Sequence, residues 1–128
     1  MIKIQSETDK RIIVKGRMNG KPAFMLVDTG AVAGIINKRA EKTYGLDVDR
    51  KRPMEMVGAG GQFKAYLVKD PFEIGGKQVY QFCLADISGV VNSIHQETGI
   101  FIAGIISLGQ CKMLHISIDT DDHYITIE

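Results

Sequence analysis

One carboxylate stands where packing gives no reason for it. The run Ala23-Phe24-Met25-Leu26-Val27 is continuously apolar and ends in Asp28-Thr29-Gly30-Ala31, so it reads as a buried strand delivering an acid into a tight turn. A carboxylate held there could take a proton from water, or give one up if a second carboxylate lay beside it. The plainer alternative is a turn residue, since Asp-Thr-Gly also makes an ordinary turn. The remaining residues with chemical potential are less suggestive. Asp119-Thr120-Asp121-Asp122-His123 could suggest a metal loop or a second Asp-Thr turn, but it lacks the glycine and the preceding apolar run and reads as a solvated hairpin turn. His95, His115 and His123 share no spacing, and Cys83 and Cys111 form no Cys-x-x-Cys or Cys/His array, so no metal and no cofactor is expected. Cys83 lies in Phe82-Cys83-Leu84-Ala85 and reads as a buried, inert thiol. No phosphate-binding loop or serine-nucleophile motif is present.

The elements that must position Asp28 are legible as short strands. Residues 11–18, Asn19-Gly20 and residues 21–27 make two strands joined by the strongest short hairpin signal. After the Asp28 turn, Gly34-Ile35-Ile36 is apolar, Asn37 is placed as the N-cap of a helix over residues 38–44, and Gly45 is placed to stop it. Arg50-Lys51-Arg52 reads as a solvated loop. Residues 53–57 and 63–68 form a hairpin around the glycine-dense tip Gly58-Ala59-Gly60-Gly61. A third hairpin turns at Gly75-Gly76, between residues 72–74 and a long strand over 78–85. Residues 88–96 read as loop with a possible helical turn, residues 100–106 as a strand breaking at Gly104 into a short helix near 107–110, and residues 113–118 and 123–127 as a closing pair of strands. Many short strands, glycine turns and little helix predict an all-β domain spanning residues 1–128 as a single unit.

These pieces, in this order, resemble a retroviral-type (retropepsin-like) aspartic protease domain. Asp28-Thr29-Gly30-Ala31 matches the catalytic turn, Gly58-Ala59-Gly60-Gly61 the tip of the flap hairpin, and Ile102-Ala103-Gly104 the hydrophobic-hydrophobic-Gly element that packs behind the active-site loop. The resemblance implies an acid-protease closed β-barrel with a flap hairpin and one or two short helices. It also implies an aspartic endopeptidase in which two carboxylates share one proton and activate water. Since the chain carries one Asp-Thr-Gly, the second Asp28 is expected from a second copy in a homodimer, with Thr29 bonding across the two-fold axis and the flap closing on an extended peptide substrate. Ala31 replaces a serine found in relatives and removes a donor to the ionised carboxylate, so the expected optimum is mildly acidic to near neutral. Val32-Ala33-Gly34 is apolar where relatives often carry serine, threonine or aspartate, and Ala103 is smaller than usual. These departures keep a second possibility open: an inert retropepsin-like module that dimerises or binds peptides without cutting them. A third is an unrelated β-barrel binding domain.

Bulk properties narrow the partners. The 128 residues carry 16 Lys and Arg against 15 Asp and Glu, a net charge of +1, which argues against nucleic acid or an anionic membrane as partner. No signal-peptide segment and no bilayer-length apolar stretch is seen, so a soluble protein is expected, and the two thiols, outside any disulfide framework, fit a cytoplasmic one. The length exceeds that of the shortest viral relatives. The excess is expected in residues 86–98 and the first strands, which puts a viral-type dimer interface built from both chain termini in doubt.

Overall fold

The computed structural model describes residues 1–58 and 61–128, leaving Ala59 and Gly60 of the glycine tip outside the described residues. Among the described residues the chain forms twelve strands and three helices. The strands β2 (Ile13–Met18) and β3 (Lys21–Val27) make the expected hairpin, with Asn19 and Gly20 both at positive φ as a type I′ turn requires. β4 (Gly34–Asn37) leads into helix α1 (Ala40–Tyr44), which Gly45 ends in the left-handed conformation. β5 (Val48–Gly58) and β6 (Gly61–Val68) pair as the long hairpin, in register from Met54↔Ala65 to Gly58↔Gly61.

Three further strands, β7 (Phe72–Ile74), β8 (Lys77–Val79) and β9 (Phe82–Ala85), precede helix α2 (Ser88–Thr98). Strand β10 (Gly104–Ile106) and helix α3 (Leu108–Met113) follow. A nine-stranded sheet runs in the order β5-β6-β9-β4-β10-β3-β2-β7-β8. The chain ends, β1 (Ile2–Gln5), β11 (Ile116–Asp119) and β12 (Tyr124–Ile127), form a separate sheet ordered β1-β12-β11. The all-β class holds. Among the described residues no ladder joins β5 to β8, so the large sheet has two edges where a closed barrel was expected, and the helices number three. No helix is long and apolar enough to cross a membrane.

The layering explains why the Asp28 strand is apolar throughout. Met25 and Val27 face the main core with Val14, Ile36, Phe82 and Ile106, while Leu26 faces a second cluster with Ile13, Ile105 and, from α2, Val91 and Ile94. A strand covered on both faces needs no polar alternation. The second cover is α2, three turns of helix where a loop with a possible helical turn is expected from the sequence. Ile87, Val91 and Ile94 recur at helical spacing on its inner side, and Gly99 caps it in the left-handed conformation.

Other expectations fail for identifiable reasons. Asn37 is no N-cap: it is a buried residue of β4 whose Oδ1 accepts the N–H of Ile87 at 3.1 Å, and the α1 N-cap is Arg39. The long strand over 78–85 is broken at Gln81, which has φ 71°, so that β8 stays beside β7 while β9 moves between β6 and β4. Arg50-Lys51-Arg52 lies within β5, next to a register shift between Asp49 and Met54. Gly104 begins its strand, and residues 100–103 form none. Finally, α3 runs on to Met113, so β11 starts only at Ile116.

Candidate active site

Asp28 is the first residue beyond β3, half-buried, with Thr29 and Gly30 exposed after it. Three groups of contacts fix the loop. The Asp28 N–H donates to the Ile106 carbonyl at 2.9 Å, extending the parallel β3–β10 ladder by one step. The Ala31 N–H closes the turn on the Asp28 carbonyl at 3.1 Å, and the Gly30 N–H donates to Asp28 Oδ1 at 2.9 Å. From outside, the Leu108 N–H reaches the Ala31 carbonyl at 3.4 Å, and Ala31 packs against the second apolar cluster. The carboxylate is therefore aimed by one backbone donor, the Gly30 N–H, on a turn whose Thr29 and Gly30 are exposed. A Cβ on residue 30 would stand 3.2 Å from Asp28 Oδ1, so glycine there keeps the turn close to the acid.

Ile102, Ala103 and Gly104, expected directly behind this loop, lie further back against the middle of β3 and against β4, and it is Ile106 that bonds to Asp28. The Ala103 N–H donates to the Phe24 carbonyl at 2.7 Å, and its own carbonyl accepts the Asn37 N–H at 2.8 Å, tying β3 to β4. Gly104 lies so close to β4 that a Cβ would meet the Ile35 carbonyl oxygen at 2.1 Å. Ile102 and Ala103 are buried in the second and the main cluster respectively. Gly58 and Gly61 end the two arms of the long hairpin, with Gly61 at φ +104°. Beside them, Val57 is 79% exposed.

Two residues belong to this neighbourhood that the sequence reading passed over. Counting outward from the Asn19-Gly20 turn pairs Ile13 with Leu26, and one step further the Val27 N–H donates to the Ile12 carbonyl. The next pair would be Arg11 and Asp28, so the hairpin register alone could have placed a guanidinium beside the acid. Glu97 of α2 holds Arg11 with two bonds of 2.9 and 2.8 Å, and Lys10 Nζ adds a bond to the Glu97 carbonyl. The hydrogen bond and charge of Glu97 push the Arg11 pKa up, with a smaller push from Asp28. In return Arg11 holds the Glu97 carboxyl below its ordinary value. The other missed residue is Gln110, buried in α3. Its Oε1 accepts the Ser107 N–H at 2.9 Å, its Nε2 donates to the Tyr80 carbonyl at 2.8 Å, and the Ser107 hydroxyl accepts the Gln110 N–H. Ser107-x-x-Gln110 is a capping box, readable from the sequence.

Elsewhere the expectations of plain structural roles stand. Asp119 accepts the N–H groups of Asp121 and Asp122 at 3.0 and 2.8 Å, making the hairpin turn between β11 and β12. Cys111 is buried while Cys83, expected to be so, is only half-buried because its side chain lies on the less covered face of β9; desolvation raises the pKa of both.

A family model described as aspartyl protease matches residues 14–106, from β2 through β10 and so across both the Asp28 loop and the Gly104 element. This chain belongs to the aspartyl protease family. Its fold is retropepsin-like. The EIAV protease, solved in complex with the inhibitor HBY-793, superposes with a TM-score of 0.65 at 17% identity, over 91% of this chain and 99% of that one. The retroviral protease-like domain of Ddi1 from Leishmania major superposes with a TM-score of 0.58 at 21% identity, over 92% of this chain and 88% of that one. At such identities these likenesses establish the fold and leave the chemistry to the residues. A search of curated protein sequences returns no match.

Proposed function

We propose that the chain is a single-domain aspartic endopeptidase, residues 1–128, working as a homodimer in which the Asp28 carboxylates of two copies share one proton. The observation that carries this reading is the placement of Asp28: one half-buried carboxylate, aimed by the Gly30 N–H, at the end of a strand buried on both faces. The ionised Asp28 takes a proton from water as its oxygen attacks the peptide carbonyl carbon. The protonated Asp28 of the second copy gives its proton to the carbonyl oxygen. Collapse of the resulting tetrahedral species expels the amine, which leaves with a proton. Thr29, Gly30 and Ala31 hold the loop, Ile102, Ala103 and Gly104 support the strands behind it, and the hairpin tip from Gly58 through Ala59 and Gly60 to Gly61 closes over an extended peptide. No metal or organic cofactor enters the mechanism.

The test is cleavage of unfolded protein and peptide-library substrates by wild type and Asp28→Asn over a range of enzyme concentrations and pH. Turnover should rise with the square of concentration at high dilution, peak in mildly acidic to near-neutral buffer, and fall at least about 10²-fold in Asp28→Asn. A statine-type transition-state mimic should bind wild type and not the variant. Mimic binding without turnover by wild type would identify an inert peptide-binding module. Turnover equal in wild type and Asp28→Asn would refute the protease reading.

A further inference from the structure

A cavity of about 250 Å³ between α1 and α2 has no part in the Asp28 chemistry. Its lining includes Tyr44 and Ala103, and both are tied to the early part of β3: the Tyr44 hydroxyl donates to the Pro22 carbonyl at 2.9 Å, and the Ala103 N–H to the Phe24 carbonyl. Four residues of extended strand separate Phe24 from Asp28, about 13 Å at roughly 3.3 Å per residue. The cavity is therefore a place of its own.

Its chemistry is set by Asn37, which is only 5% exposed. The Asn37 N–H donates to the Ala103 carbonyl, and Oδ1 accepts the Ile87 N–H, so the side-chain amide is held with its two ends distinguished. Among the described residues Nδ2 has no acceptor. Among them, too, no side-chain nitrogen or oxygen is both sealed and unbonded, so Nδ2 opens on the cavity that Asn37 lines. An amide donor so deeply placed calls for an acceptor. Arg39 is the one charged residue of the lining, exposed, and it forms no ion pair among the described residues. The apolar side consists of buried Ile102 and Ala103 together with Phe101, which is 62% exposed and carries His95 stacked on its ring at 3.7 Å. An amide donor and a guanidinium beside an aromatic and aliphatic wall are complementary to a carboxylate on an apolar body.

We propose that this cavity binds a small carboxylic acid with an aromatic or aliphatic body. Asn37 Nδ2 and the Arg39 guanidinium hold the carboxylate, while Phe101, Ile102 and Ala103 take the body. Neither Asp28 nor a second copy of the chain enters the site.

The test is a nitrogen-edited NMR titration of the full chain at neutral pH with hydrocinnamate, with its amide, and with a short peptide ending in phenylalanine as acid or amide. Hydrocinnamate should shift the Asn37 side-chain signals and the backbone signals of Ile102 and Ala103 saturably, and its amide should bind at least about tenfold more weakly. Arg39→Gln should weaken hydrocinnamate at least about fivefold, and Asn37→Asp, which keeps the acceptor for the Ile87 N–H but replaces the donor by a negative charge, should abolish binding. Lys77→Gln, on exposed β8, and Asp28→Asn should both bind as wild type does. Thermal melts check each fold, and if Asn37→Asp does not fold, Arg39→Gln carries the test. Binding of the acid-ended peptide but not its amide extends the site to peptide C-termini; binding of hydrocinnamate alone confines it to free acids. Absence of a saturable shift at Asn37, equal binding of acid and amide, or an affinity indifferent to Arg39→Gln overturns the proposal and leaves the protease reading untouched.

Discussion

Replacing Gly104 by alanine adds one methyl group, and the structure says where that methyl must go. It would sit 2.1 Å from the Ile35 carbonyl oxygen and 3.0 Å from the Ile36 Cα, both backbone atoms of β4. No rotamer relieves a clash with backbone, so β4 must retreat from β10 by roughly an ångström to reach ordinary contact. That movement strains the Gly104↔Ile36 and Ile105↔Ile35 pairs and the 2.8 Å bond from the Asn37 N–H to the Ala103 carbonyl. Overpacking a close-packed interior costs about 1–3 kcal/mol, and each hydrogen bond lost adds about 1 kcal/mol. The sum is about 3–5 kcal/mol, a large share of the roughly 5–15 kcal/mol available to a domain. For a chain of this size the melting temperature should fall by about 12–20 °C.

The same chemical change elsewhere should have the opposite sign. Gly89 lies in the first turn of α2, and a Cβ there would meet nothing within 4 Å. Gly89→Ala should therefore stabilise the chain by about 0.5–1 kcal/mol, the helix-propensity difference. Thermal and urea unfolding of the two variants, followed by circular dichroism, reads both effects on one scale. A Gly104→Ala variant within about 1 kcal/mol of wild type would refute the claim that close backbone approach requires glycine where β10 meets β4.

Gln110→Ala strands the Ser107 N–H and the Tyr80 carbonyl and leaves a gap beside Gly34, where a Cβ would now overlap the Gln110 side chain at 2.2 Å. It should cost about 2–3 kcal/mol in urea unfolding, and Gly34→Ala, damaging alone, should be partly rescued in the double variant by filling that gap. The tether between Arg11 and Glu97 should depend on pH. Arg11 lowers the Glu97 pKa in the folded chain, so the tether contributes above the unfolded carboxyl value and is lost as pH falls through the folded one. Amide exchange in the last turn of α2, corrected for intrinsic rates, should speed up across that acidic window, and Glu97→Gln should show the faster exchange already at neutral pH.

Local signals were readable wherever one stretch of chain decides its own conformation. Asn19-Gly20 forces its hairpin, Gly45 stops α1, and the apolar run before Asp28 can only be a buried strand. What escaped depends on distant partners. Asn37 has the composition of an N-cap, but its side chain is claimed by the Ile87 N–H, fifty residues on. The break between β8 and β9 has no glycine or proline to announce it: Gln81 adopts positive φ where Gln110 of α3 captures the adjoining Tyr80 carbonyl. Helix α2 was the avoidable miss, since Ile87, Val91 and Ile94 carry its periodicity. The strand after Asn19-Gly20 also shows no polar alternation, which itself demands a second apolar layer to cover Phe24 and Leu26.

That second layer bears on the chemistry as well as the fold. In the proposed homodimer each Asp28 has to be placed accurately by its own chain, because neither copy can correct the other's error without losing symmetry. Here β3 is clamped between the main core and α2, β10 hands its Ile106 carbonyl to the Asp28 N–H, and α3 reaches the far side of the turn through Leu108. The clamp stops at Val27. From Asp28 onward the chain is held by a few backbone bonds, by the Gly30 N–H on Asp28 Oδ1 and by Ala31 against the second cluster, and it turns Thr29, Gly30 and Val32 outward. Rigid support ends where exposure begins, and at that boundary a single chain can present half of a two-carboxylate site without burying an unpaired acid.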